Sequence, residues 1–217
     1  MHFITADRYP ALKSALKGFS SISVLILWAF PLFSVAQTRE PVDELQQLLD
    51  QLQSFQASFT QTVTEEDGYL LDEQEGILSF ERPNHIFWQV IKPYRSVLVA
   101  DGDNIYFHDE DLNQVRVRPW SASPTENPAA VFVGEGELDE FYRAEKNENT
   151  FVLTPLEEDA SYQSLILTFD SGRPTRMELS DSLGQHTDIQ FDSLDQELPE
   201  KPYQFVIPAD AEVIVDD

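Results

Sequence analysis

The chain has 217 residues, a formal net charge of −25 and no cysteine. So acidic a balance excludes binding to nucleic acid or to an anionic membrane through bulk electrostatics. The missing cysteine excludes a disulfide framework, a thiolate nucleophile and lipidation on an N-terminal cysteine.

Residues 1–19 hold Arg8, Lys13 and Lys17 against one acid, Asp7. An apolar run follows from Ile22 to Phe33, interrupted by Pro31, and then the small-x-small exit Ser34-Val35-Ala36. The run is shorter than the ~20 residues that span a bilayer, so it reads as a secretory signal peptide rather than an anchor. Cleavage after Ala36 leaves residues 37–217 at a charge of −27, because the leader carries three bases and one acid. That length suits one domain, able to bury about 70% of its unfolded surface without a staple. The acidity reads either as solubility, in a saline habitat for example, or as a face that steers a basic partner. Spacing does not separate the two, and solubility is the simpler.

The mature part opens with Pro41 at a first-turn position and acids at the positive end of the helix dipole. Val42, Leu45, Leu48, Leu49 and Leu52 then recur at three- and four-residue steps, which predicts an amphipathic helix over 41–53. Period two takes over at Phe55, Ala57, Phe59 and Val63. Asp67-Gly68 predicts a hairpin turn. Ten further strand-like runs fall near 69–81, 85–91, 96–100, 104–108, 114–118, 140–146, 150–155, 163–170, 174–180 and 185–193, with a short helical piece at 127–133. Short connections imply antiparallel hairpins. About eleven strands in one open sheet must curl. The expected fold is therefore mainly β: an unclosed antiparallel half-barrel, with the helix at 41–53 as a lid over its apolar concave face. Periodicity leaves open whether that face encloses a filled core or a cavity.

Chemistry-bearing constellations are sparse. His85, His108 and His186 show no metal-ligand spacing, and no G-x-S-x-G elbow is present. The acids between Asp101 and Asp111 lack the register of a calcium loop and read as solvated turns. Gly134-Glu135-Gly136 continues into Glu137, which places negative charge where a phosphate would sit. No catalytic residue, metal site or cofactor is expected. One stretch stands out, Gly76 to Trp88. Leu78, Phe80 and Arg82 share one face of a strand, and Ile86, Trp88 and Val90 share one face of the next. Arg82 reads either as a strand-end residue capping a carbonyl, which spacing alone favours, or as a guanidinium entering the concavity. In the second case it must find acceptors there.

These residues carry a resemblance. Ser54-Phe55-Gln56-Ala57-Ser58-Phe59-Thr60-Gln61, the Arg82-Pro83-Asn84 corner followed by Trp88, Leu98-Val99-Ala100-Asp101-Gly102 with Ile105-Tyr106-Phe107, and Asn127-Pro128-Ala129 together resemble the outer-membrane lipoprotein carrier family, the LolA family. The likeness runs over residues 40–217. The family often has Phe two residues before the Trp, where this chain has Ile86. The resemblance implies a periplasmic carrier of a Gram-negative bacterium, monomeric and without catalytic activity. Its fold would be an unclosed barrel with a helical lid over an apolar cavity. Its cargo would be triacylated lipoproteins, taken from an ATP-driven release complex in the inner membrane and passed to an outer-membrane receptor. Together with the alternation, it makes Phe59, Leu78, Phe80, Ile86 and Trp88 the expected lining, and it gives Arg82 the role of holding the lid shut. The alternative is a periplasmic binding protein or sensor for another lipid or apolar ligand.

Overall fold

The computed structural model describes residues 40–121, 128–194 and 196–216. The predicted signal peptide, residues 1–36, lies outside the described residues, as does Asn127 of the predicted short helix. Helix α1 (Pro41–Gln51) begins with Pro41 and holds Asp43 and Glu44 in its first turn. Leu45 and Leu49, one turn apart, are fully buried. The helix ends two residues before the predicted 53, where the Leu52 N–H donates to Leu49 O at 2.9 Å.

Eleven strands follow close to the predicted runs: β1 (Ser54–Thr64), β2 (Leu70–Glu81), β3 (His85–Lys92), β4 (Ser96–Asp101), β5 (Asn104–Asp109), β6 (Gln114–Pro119), β7 (Tyr142–Asn147), β8 (Thr150–Pro155), β9 (Tyr162–Asp170), β10 (Arg173–Asp181) and β11 (His186–Asp192). Between β6 and β7 lie α2 (Ala130–Val133) and a 3-10 turn at Leu138–Glu140. A twelfth strand, β12 (Glu212–Val215), follows the tail and pairs parallel with β6, the one parallel pairing among the described residues.

The sheet order is β12-β6-β5-β4-β3-β2-β1-β11-β10-β9-β8-β7. Two meanders, β1–β6 and β7–β11, are joined where β1 pairs antiparallel with β11. β12 and β7 remain as edges, so the barrel is unclosed. One glycine is required by the packing. Gly76 pairs directly with Phe59, and a Cβ on it would lie 2.0 Å from Gln89 O and 2.7 Å from the Phe59 ring. Only a residue without a side chain lets the aromatic ring lie across the backbone there.

Both faces of the sheet are apolar near its centre. The concave face carries Phe55, Phe59, Leu78, Phe80, Ile86 and Ile105, continuous with Leu45 and Leu49 of α1 and with Phe132 of α2. The convex face carries Ile77, Phe87, Val97 and Val99, packed by Leu194, Leu198, Tyr203 and Phe205 of the tail. Tyr203 Oη and Ser79 Oγ are 2.6 Å apart, which satisfies a fully buried serine hydroxyl.

Candidate functional site

The concave face is divided into a filled part and an open part. Under the helices it is packed with rings: Phe80 stacks on Phe132 with centroids 5.2 Å apart, and Phe191 meets Phe55 and Phe132 edge-on. Beyond Trp88 the packing gives way to a cavity of about 400 Å³. Its walls are Ile86, Trp88 and Val90 of β3, Leu98 of β4, Phe107 of β5, Met177 and Leu179 of β10, and Ile189 of β11. Pro128 and Ala129, on the approach to α2, lie over it. Gln61, Gln74, Ser96 and Thr187 supply its polar groups, and among the described residues no charged side chain lines it. In a chain with 39 acids, a described wall without one suits an uncharged apolar guest.

Of the five residues predicted to line this space, Ile86 and Trp88 do so. Phe59 lies behind the wall with its ring 4.4 Å from that of Trp88. Leu78 and Phe80 are buried in the filled part, under 3% exposed. The β10 and β11 side of the wall, Met177, Leu179 and Ile189, obeys the same period-two alternation as β3. That alternation was the signal available for finding them.

The roof is made of two helices rather than one. α1 covers β7 and the 3-10 turn. Glu44 pairs with Lys146, and Gln46 Oε1 accepts from the Leu138 N–H at 2.9 Å. α2 covers β2, and the segment entering it borders the cavity. Arg82 stands where both helices meet the sheet. Its Nε donates to Phe132 O at 3.1 Å, its Nη2 to Gly134 O at 3.1 Å and its Nη1 to Asp50 Oδ1 at 2.8 Å. The lid that Arg82 was expected to hold was the helix at 41–53. In the structure its carbonyl partners lie at the end of α2, and α1 offers a carboxylate. The reason is the state of the two helix ends. At the end of α1 the Leu52 N–H takes Leu49 O and Gln53 Nε2 takes Asp50 O, whereas the end of α2 leaves Phe132 O and Gly134 O for Arg82. The backbone reinforces the joint, for the Arg82 N–H donates to Gln53 O and the Asn84 N–H to Val133 O, both at 3.0 Å.

Under α1 the hydroxyls of Tyr142 and Tyr162 bond to each other. Burial pushes both phenols up, Tyr162 to about 12 and Tyr142 beyond it, so the pair stays neutral in any physiological medium. Among the described residues, three buried side-chain polar atoms have no hydrogen-bond partner: Asn84 Oδ1, His108 Nε2 and Trp120 Nε1. Among the described residues no three His, Asp or Glu side chains gather in a metal-binding group.

A one-piece curved sheet, a neutral apolar cavity and a roof tied down by one arginine define a binding protein for an apolar guest. Comparison with known proteins agrees. The sequence profile of the family described as outer membrane lipoprotein carrier protein LolA matches residues 50–207. An outer-membrane lipoprotein carrier protein from Chromohalobacter salexigens is 38% identical over 193 residues, covering 86% of this chain and 91% of its own length. Another, from Hahella chejuensis, is 33% identical over 202 residues, covering 89% of this chain and 97% of its own. A third, from Methylobacillus flagellatus, is 32% identical over 189 residues, covering 80% and 88%. The chain belongs to the LolA family of outer-membrane lipoprotein carriers.

Proposed function

We propose that this chain is a periplasmic carrier that binds the acyl chains of triacylated lipoproteins in its concave cup, without catalysis, and delivers them to an outer-membrane receptor. It takes them from the ATP-driven release complex of the inner membrane. Export removes residues 1–36, and residues 37–217 work as one monomeric domain. The observation that carries the proposal is the uncharged cavity under a roof whose end carbonyls are held by Arg82.

Acyl burial releases about 0.8 kcal/mol per CH₂, so several chains fully buried in a rigid pocket would not leave again. A cavity of about 400 Å³ lies near the low end of the range for drug-sized ligands, and three acyl chains outgrow it. Loading therefore lifts the roof. Lifting α2 breaks the Arg82 bonds, each charge-assisted one worth about 1.5–3 kcal/mol, and that cost subtracts from affinity. The carrier then yields its cargo without consuming ATP. Phe80 and Leu78, packed against the helices in the closed form, become lining when the roof rises.

Arg82→Leu removes the latch. The loaded, open state gains by roughly tenfold or more in population, so the variant takes up cargo and delivers it at least several-fold more slowly to purified receptor. Delivery at the wild-type rate would show that Arg82 is only a strand-end residue. Mass spectrometry of the ligand extracted from periplasmic protein tests the cargo. Triacylated lipoprotein supports the carrier, and free phospholipid alone would favour a binding protein for another lipid.

A further inference from the structure

The polarity of the cavity wall is graded along the strands. One row of paired residues crosses five strands of the concave face, and all are apolar: Ala57, Leu78, Trp88, Leu98 and Phe107. Four residues further along β1 the row is Met177, Ile189, Gln61 and Gln74. Gln61 and Gln74 are direct cross-strand partners, and both line the cavity, as Ile86 and Trp88 do at its other end. Partners so placed have Cβ atoms about 4.5–5.5 Å apart. The two amides therefore form one polar patch on the wall, at the end away from the stacked rings of Phe80 and Phe132.

The patch has hydrogen-bonding capacity to spare. The Gln61 side chain makes no hydrogen bond among the described residues. Gln74 donates through Nε2 to Asp72 Oδ2 at 2.7 Å, which leaves its carbonyl oxygen and its second N–H for a guest. An amide carries donors and an acceptor but no charge. It matches an ester or an amide group, and it does little to offset the desolvation of an anion. The surroundings oppose an anion directly. Asp72 lies two residues from Gln74 on the same face of β2, and Asp109 is paired with Ser96 of the wall. The bases on the adjoining strands are engaged elsewhere: Lys92 with Glu75 at 2.7 Å, Arg95 with Glu110 at 2.9 Å and Arg116 with Asp216 at 3.8 Å.

We propose that Gln61 and Gln74 are the head-group site of the cavity, which binds the uncharged ester or amide junction of an acylated guest. The hydrocarbon of that guest lies along Trp88 and Leu98, and Asp72 and Asp109 turn away lipids with an anionic head. The site orients the guest and selects an acylated polypeptide, whose chains are joined through esters and amides, over a phospholipid with the same chains. It rests on the reading of the cup as an acyl-chain site.

The experiment is calorimetric titration with three probes whose tails are of one length: 1,2-dioctanoylglycerol, its dioctyl ether analogue and dioctanoyl phosphatidic acid. Wild type binds the diacylglycerol roughly two- to tenfold more tightly than the ether, which lacks the carbonyls. It binds the diacylglycerol at least roughly tenfold more tightly than the phosphatidic acid. Gln61→Leu, at a half-buried position, removes most of the preference for ester over ether without weakening ether binding, which a structural loss would weaken. Gln74→Lys puts a cation in the wall and narrows the gap to phosphatidic acid several-fold. The two substitutions act on different preferences, so one variant that fails to fold leaves the other to decide. Wild type that binds phosphatidic acid as tightly as diacylglycerol, or folded variants that keep both wild-type preferences, would overturn the proposal and leave the acyl cup intact. Binding of none of the three probes would overturn the acyl cup and this site with it.

Discussion

The two faces of the sheet make an informative contrast. Each is an apolar surface built from the same alternating strands. On the convex face the cover is a tail whose Leu198, Tyr203 and Phe205 pack on the apolar surface, with the Tyr203 hydroxyl closing on Ser79, and the space left beside it is lined by polar side chains such as Glu81, Asp101 and Glu200. On the concave face the cover is two helices that fill one part of the surface and leave an apolar void over another. Strand chemistry does not decide which face binds. The covering segment does, by leaving polar space on one side and apolar space on the other.

Truncations on the two faces sharpen this contrast most. Phe87→Ala empties a packed site on the convex side and is expected to cost about 3–5 kcal/mol in urea unfolding. Uptake of an apolar dye by the folded fraction stays unchanged. Met177→Ala, on the cavity wall, is expected to cost only about 2 kcal/mol, because one side of Met177 already faces empty space and loses few contacts. Dye uptake by this variant changes. Equal dye responses from the two variants would break the distinction between the faces.

Gly76→Ala strikes the backbone that both faces share. Its new Cβ meets Gln89 O and Phe59 at once, and a loss of about 2–3 kcal/mol is expected. A variant as stable as wild type would show that β2 and β3 separate without penalty there. Tyr203→Phe keeps the ring and deletes the bond to buried Ser79, for about 1–2 kcal/mol, again without effect on dye uptake. Any gain in dye binding would reveal a second site beneath the tail.

The smallest effect is on pH. Arg176 binds Asp188 through Nε at 2.7 Å and Nη2 at 2.9 Å, and holds its carboxyl below the usual 3.8. A lowered folded-state value means a stabilisation that is present above pH 3.8 and lost as pH falls through the folded value. The pair is partly exposed, so less than about 1 kcal/mol is at stake. Unfolding midpoints at pH 5 and pH 3 should fall further for wild type than for Asp188→Asn. Identical falls would mean that the pair contributes nothing.

Most of the fold was legible because the strands are long, and Gly-containing turns such as Asp67-Gly68 and Asp101-Gly102 separate them. β12 was not: Glu212–Val215 is four residues, too short for a period, and its partner β6 lies about a hundred residues earlier. The convex cover had a signal that alternation hides. Ile86-Phe87-Trp88 and Val97-Leu98-Val99-Ala100 are continuous apolar runs, as strands covered on both sides must be. Arg82 was identifiable by type and place, but its acceptors were not. They depend on where α2 ends, and the four residues of α2 carry no period from which its position follows. The Trp120 donor was invisible for a related reason, since an indole between Pro119 and Ser121 says nothing of what surrounds it.

The route of the tail has a mechanical consequence. It leaves β11 at the middle of the sheet, crosses under β2 to β5, and is fastened to the outer edge as β12 on β6. A polypeptide does not stretch beyond about 3.3–3.6 Å per residue, so this segment acts as a chord across one half of the arc. The β2–β6 wing cannot flatten while the chord is fastened. The wing from β10 to β7 is stiffened instead from inside by α1, through Lys146 and the 3-10 turn. Strain from an incoming load therefore passes to the element between the two wings, which is α2, and what it must shear there is the Arg82 joint with its Asn84–Val133 backbone bond.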